Sequence, residues 1–220
     1  MANTVKKNKI STNKKKNVGN ITLSRRKYTT RTLTKIAILG ALAAVVMLLE
    51  FPLWFAPPFY EMNFSEVIVL IGAFSMGPWC GVAIEAIKII INTMFNSTDT
   101  MFVGEVANFI MGCAFIVPAA LIYKNYKSVK TAITGMMAGT LCMATVGVAL
   151  NYWVLLPIFA WAYNMPLQAI IDMGTAINEN IKDLFTFVLF ATAPFNFLKG
   201  VLSSIVTLIL YKRVSPILHK

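Results

Sequence analysis

The run from Leu184 to Tyr211 is long and apolar, and it carries a lysine, Lys199. About 20 apolar residues are enough to cross a bilayer, so this run reads as a spanning helix. An ammonium inside such a helix costs several kcal/mol unless it faces protein, water or a ligand. Asn196 stands three residues before Lys199, so both lie on one helix face, one turn apart. Pro194 and Gly200 bracket the pair. The fold must therefore place something polar, or a ligand, against this face. The plainer alternative is that Lys199 snorkels or pairs with an acid from another helix.

Similar runs recur along the chain. Of 220 residues, 57% are hydrophobic and 13% charged, which departs from soluble domains in both directions. The class is a polytopic helical membrane protein. The net charge of +11 is concentrated at the start, where every charged residue before Glu50 is basic. Such a tail could touch nucleic acid, but beside a membrane helix it marks the cytoplasmic side and meets anionic lipid. Residues 1–32 are thus expected to form a basic, disordered cytoplasmic tail, 33–213 the membrane domain, and 214–220 a short cytoplasmic end. Cys80, Cys113 and Cys142 lack metal-ligand spacing and read as small core residues. His219, the one histidine, sits at the extreme C-terminus, where it anchors no catalytic constellation.

The first helix is expected from about Leu33 to Phe51. Ala37/Ala41 and Gly40/Ala44 are two small-xxx-small pairs, suited to close approach by a helix of this chain or of another subunit. Pro52 to Met62 follows, with three prolines and four aromatics, Trp54, Phe55, Phe59 and Tyr60. It reads as an interfacial belt or a lid over a pocket. Asn63 and Glu66 form a capping-box-like pair before a helix from about Phe64 to Met76. That helix is too short to cross alone, so the preceding loop is expected to fold into the membrane, where irregular backbone lines a cavity or is buried in protein.

Pro78 opens a third helix carrying Glu85, Lys88 and Asn92 on one face, where they can satisfy one another. A polar loop, 96–100, leads to a fourth helix, about Val103 to Tyr123, with Glu105 and Asn108 near its start. After the basic loop of Lys124, Lys127 and Lys130, a fifth helix is expected from about Thr131 to Trp161. Gly135 and Gly139 form a close-approach pair in it, and its later half, ending around Pro157, holds Asn151-Tyr152-Trp153. The link from Tyr163 to Asn180 has room for a short interfacial helix. With the sixth helix, this predicts six spans with both termini in the cytoplasm. The Lys-rich loop and the tails then lie inside and the Lys/Arg-poor loops outside.

On this topology the outer half of the bundle gathers Trp54, Phe55, Phe59, Tyr60, Asn108, Asn151, Tyr152, Trp153, Asn196 and Lys199. Aromatic faces and carboxamides suit an uncharged planar heterocycle with carbonyls. One cation suits a phosphate less well. There is no metal-ligand cluster, Ser-His pair or phosphate-cradling glycine loop, so an ATP-driven process needs an external motor.

Four segments carry a family resemblance: Phe51–Phe59 through Asn63-Phe64-Ser65-Glu66; Gly104-Glu105-Val106-Ala107-Asn108-Phe109; Asn151-Tyr152 with Leu156-Pro157; and Pro194–Gly200. In that order on six helices, the chain resembles the substrate-capturing S components of energy-coupling factor (ECF) vitamin transporters, and within them the riboflavin-specific branch. Trp54 departs from the smaller residue or proline usual there, and Asn63 from the common aspartate. The resemblance implies an all-α ECF S-component-like bundle in the prokaryotic plasma membrane, non-enzymatic and without a cofactor. Riboflavin is then the transported substrate, bound on the outer side under the first loop and between the fourth, fifth and sixth helices. Asn151, Asn196 and Lys199 match positions that hydrogen-bond the isoalloxazine ring, and Asn108, Phe55, Tyr60 and Trp54 complete the expected site. Ala37, Gly40, Ala41 and Ala44 match a motif that contacts a membrane-embedded coupling protein, which works with two ATPase subunits. Physical chemistry of the lining alone leaves another planar vitamin or a flavin analogue open. From a different class, an intramembrane enzyme would use Glu85, Lys88 or Glu105.

Overall fold

The computed structural model describes residues 29–57, 59–95 and 102–218, with side chains at 212 and 214–218 left aside. The basic tail before Thr29, the polar loop 96–100 and His219 lie outside the described residues. The chain divides into units Met1–Thr30 and Arg31–Lys220, and the second carries the fold.

The elements in order are α1 (Thr30–Met47), β1 (Phe51–Pro52), β2 (Glu61–Met62), α2 (Ser65–Met76), α3 (Pro78–Phe95) and α4 (Val103–Asn125). Then come α5 (Val129–Ala162), α6 (Leu167–Thr175) and α7, which runs from Leu184 to Leu218. Five helices are long and apolar enough to cross a membrane: α1, α3, α4, α5 and the 184–211 part of α7. The sixth apolar helix, α2, has 12 residues. α1 stops four residues before the expected Phe51 because Phe51 and Pro52 pair with Met62 and Glu61 in a short antiparallel hairpin. This hairpin closes the proline-aromatic loop on itself.

Two prolines shape the long helices. α5 continues past Pro157 to Ala162, one residue beyond the expected Trp161, and α7 runs through Pro194. A proline inside a helix removes one hydrogen bond and crowds the carbonyl four residues back. Here each is preceded by a π-helical turn, Asn151–Leu155 and Val188–Thr192. The residue before each proline donates five residues back, Leu156 N–H to Asn151 and Ala193 N–H to Val188. The wider turn makes room for the ring without ending the helix. Such bulges often occur at functional sites.

One apolar core, centred on Leu70, Ile84, Phe115, Ile116 and Met136, holds α2, α3, α4 and α5 together. α4 and α5 touch backbone to side: a Cβ on Gly135 would lie 2.6 Å from the Ala119 carbonyl oxygen. A second core joins the first loop to α5, α6 and α7 through Tyr60, Leu156, Ile170, Phe187 and Phe195. α6 is the short helix expected between Tyr163 and Asn180. Asp183 caps α7, accepting from Thr186 N at 2.7 Å. The hydrogen bonds from Thr186 hold its carboxyl below the usual range.

Three fully buried charges sit in the first core. Lys88 Nζ lies 2.8 Å from Glu66 Oε1 and 2.6 Å from Glu85 Oε1. The expected Asn63–Glu66 capping box does not form. Glu66 points to Lys88 instead, Phe64 takes the N-cap position, and Asn63 Oδ1 accepts from Ser65 Oγ at 2.8 Å. An ammonium in this core needs a carboxylate more than an exposed helix end needs a cap.

Candidate functional site

A cavity of about 550 Å³ opens where the hairpin and the first loop meet α3, α4, α5 and α7. Its volume suits a small organic ligand. Tyr60, Asn108, Asn151, Asn196 and Lys199 all line it. The chain thus brings five of the seven expected binding residues to one place, from four separate elements.

The two π turns position the deepest groups. Asn151 opens the first, and Asn196 lies one helical turn beyond the second. Asn151 Nδ2 donates to the Gly147 carbonyl at 2.8 Å, and Asn196 Nδ2 to the Thr192 carbonyl at 3.0 Å. Both amides are therefore anchored on their own helices. The Tyr60 hydroxyl donates to Asn151 Oδ1 at 2.7 Å and lies 2.7 Å from Thr192 Oγ1. A phenol has one proton, so Thr192 is the donor in the second contact. Tyr60 ties the first loop to both bulges, and its ring stacks on Phe195 with centroids 5.1 Å apart. Phe59 adds contacts to Phe159 and Phe187.

Lys199 is 8% exposed, and among the described residues it makes no hydrogen bond or ion pair. It lines the cavity as its one cationic side chain among the described residues, and Glu50, Glu66 and Glu85 act on it through space. Asn196 spends one of its two amide N–H groups on the Thr192 carbonyl, and its Oδ1 is available as an acceptor. The site so offers an ammonium donor and a carboxamide acceptor side by side, beside aromatic faces.

Trp54 and Phe55 do not join it. They line a separate space of about 280 Å³ against α6 and α7, and Trp54 is 91% exposed. The turn at Leu53–Ala56 rotates them away from the cavity while presenting Phe59 and Tyr60 to it. Trp153, grouped with the outer half, is exposed as well.

Two lining groups, Glu50 and Glu61, were not singled out from the sequence. Glu50 and Glu61 meet at the hairpin, where Glu61 pairs across from Pro52, and Asn63 hydrogen-bonds Glu50. Burial first, and the Glu61 carboxylate next, push the Glu50 carboxyl up to about 7. Glu105 and Asn92 also line the wall. Asn92 is 7% exposed, and its Oδ1 has no hydrogen-bond partner among the described residues. An unsatisfied buried oxygen costs about 1–3 kcal/mol. Asn92 shares a face with Lys88 and Glu85, but Lys88 pairs with Glu85 on its own helix and with Glu66 on α2, which leaves Asn92 out.

The four small residues of α1 divide. Gly40 and Ala44 are buried within the chain, and a Cβ on Gly40 would lie 2.5 Å from Ile87 Cγ2. Ala37 and Ala41 are exposed beside Leu33, Ile38 and Val45.

An apolar bundle with a polar, ligand-sized cavity bordered by an aromatic loop defines the class: a multi-pass membrane protein that binds a small molecule. The sequence of residues 31–211 matches the family "ECF transporter, substrate-specific component". The chain belongs to that family, and is a substrate-binding transporter subunit. It is 35% identical over 188 residues to a riboflavin transporter of Staphylococcus aureus (strain TCH60), covering 86% of this chain and 92% of that one. A riboflavin transporter of Bacillus subtilis (strain 168) is 32% identical over 185 residues, covering 84% and 92%. The solved S component of a bacterial ECF transporter superposes with a TM-score of 0.67 at 33% identity, covering 86% of this chain and 98% of that one.

Proposed function

We propose that this subunit captures riboflavin from outside the cell for ATP-driven uptake. The observation that carries this reading is the convergence of Lys199, Asn196 and Asn151 on one wall of the cavity. A flavin ring is planar and carries carbonyl acceptors beside a ring N–H. The Lys199 ammonium donates to a carbonyl, the Asn196 Oδ1 accepts the N–H, and the aromatic rings pack the faces. Both relatives described above are named riboflavin transporters.

Six spans and two cytoplasmic termini complete the reading. α2 is the sixth, its missing depth supplied by the hairpin and loop above it. The Lys-rich α4–α5 connection then lies inside with both tails, and the basic tail meets anionic lipid there. The site opens outward, and the protein holds riboflavin as substrate with no cofactor. Its partners are a membrane-embedded coupling protein and two ATPase subunits.

The test is fluorescence titration of the detergent-purified full chain. Quenching of riboflavin that saturates near one equivalent supports the reading; unchanged flavin fluorescence at micromolar protein overturns it. Gly147→Ala probes the geometry. A Cβ at Gly147 would lie 2.8 Å from Asn196 Nδ2, so the amide must shift. Overpacking of this kind costs about 1–3 kcal/mol, and riboflavin affinity is expected to fall about 10-fold in the same titration.

For the partner interface, only the outward pair Ala37 and Ala41 remains available to another subunit. Ala37→Leu with Ala41→Leu is expected to leave riboflavin titration as in the wild type and to abolish co-purification with the coupling protein. Intact co-purification would place the interface elsewhere.

A further inference from the structure

We propose that the buried Glu66–Lys88–Glu85 cluster is the counter-charge of the binding site: it carries one net negative charge behind the cavity wall and keeps the Lys199 ammonium charged for a ligand that the cluster itself does not touch. The inference rests on the riboflavin reading and adds a layer of positioning residues to it. Among the described residues the buried charged side chains are Glu66, Glu85, Lys88 and Lys199. A one-to-one ion pair would be enough to neutralise a charge between α2 and α3. Lys88 instead holds two carboxylates, at 2.8 and 2.6 Å, and neutralises one. The buried charges sum to zero only when Lys199 is counted with the cluster. Lys199 makes no hydrogen bond or ion pair among the described residues, so the balance acts through space, with both carboxylates attracting it and Lys88 opposing them. Apolar surroundings carry such a field further than water does. A buried ammonium with no anion to answer it gives up its proton rather than stay charged. Three elements set the cluster directly behind the lining. Asn63 lines the cavity, and Glu66 follows within the next turn of chain. Asn92 lines it, and Lys88 lies one turn earlier on α3. Met111 lines it, and the next residue, Gly112, packs on the Glu85 carboxylate. The other ionisable side chains around the cavity are Glu50 and Glu61 at the hairpin, Tyr60 of the loop, Glu105 on α4 and Tyr163 after α5.

The experiment is riboflavin titration of the full chain in detergent at a series of pH values. Those other ionisable groups, and the flavin itself, are the same in every variant compared. Glu85→Gln keeps the side chain's shape and leaves Lys88 in a one-to-one pair with Glu66. With the surplus anion gone, Lys199 loses its proton more readily, and the alkaline fall in affinity is expected to set in about one pH unit below that of the wild type. On that limb the variant then binds riboflavin about 10-fold more weakly. Glu66→Gln removes the same charge from another helix and is expected to give the same shift. Glu85→Gln added to Lys199→Met is expected to leave the profile of Lys199→Met unchanged. Superposable profiles for Glu85→Gln and the wild type overturn the proposal. A shift that persists in the Lys199→Met background overturns it too, because the effect then bypasses the ammonium. Should Glu85→Gln not fold, Glu66→Gln or the triple change Glu66→Gln, Glu85→Gln, Lys88→Met decides the matter, since each also leaves a neutral cluster. Failure of the wild type to bind riboflavin at any pH sinks the riboflavin reading itself, a different result from losing only the shift.

Discussion

Lys199→Met is expected to weaken riboflavin binding by about 10- to 100-fold without destabilising the protein. The side chain keeps its length and apolar stem, and loses only the ammonium. A hydrogen bond to a charged group contributes about 1.5–3 kcal/mol, and each 1.4 kcal/mol is tenfold in affinity. This charge is buried with no hydrogen bond or ion pair among the described residues, so its lost solvation is offset only through space by Glu50, Glu66 and Glu85. Removing it should hold or raise the thermal midpoint in detergent while affinity falls. Fluorescence titration and a thermal melt on the same preparation check both halves. A variant that loses stability and affinity together would assign Lys199 a packing role, and one that binds normally would remove it from the site.

The helices were legible because apolar runs of bilayer length have few other readings, and the observed starts of α3 and α4 match those expected from Pro78 and Val103. The convergence of Asn108, Asn151, Asn196 and Lys199 was legible for a related reason: in a chain with 13% charged residues, each polar group inside an apolar run is conspicuous. What was not legible depends on contacts between elements. Pro157 carries the same local signal whether it ends a helix or sits after a π turn, and only the packing of α5 decides. Glu50 and Glu61 bound apolar segments and look like interfacial charges until the hairpin register brings them together. Asn92 has the i, i+4 spacing that joins it to Lys88 on paper, yet Lys88 turns to Glu66 on another helix. Ala37/Ala41 and Gly40/Ala44 share a spacing, and only the position of Ile87 tells which pair is buried. Trp54 was drawn to the cavity by its aromatic neighbours, and a single turn of backbone sends it outward.

Lys88→Met is expected to do the reverse of Lys199→Met. Lys88 and Lys199 are both buried lysines in apolar helices, and they differ in their partners. Lys88 lies between Glu66 and Glu85, all three almost wholly buried. The three cross α2 and α3, and Gly112 of α4 packs directly on the Glu85 carboxylate. Removing the ammonium leaves two carboxylates facing each other without a cation. Breaking a buried pair in this way typically costs about 3–5 kcal/mol, which is a large part of the stability of a typical domain. The thermal midpoint in detergent should drop well below that of the wild type. The folded fraction should still bind riboflavin, because neither Glu66, Glu85 nor Lys88 lines the cavity. The triple change Glu66→Gln, Glu85→Gln, Lys88→Met should recover most of the loss, since replacing a whole buried ionic group is often neutral where removing one member is not. A triple variant as unstable as the single one would mean that the charges matter for their hydrogen-bond geometry, not for mutual neutralisation. A Lys88→Met protein with wild-type stability would show that α2 is held by the apolar contacts of Val69, Leu70 and Ile84 alone.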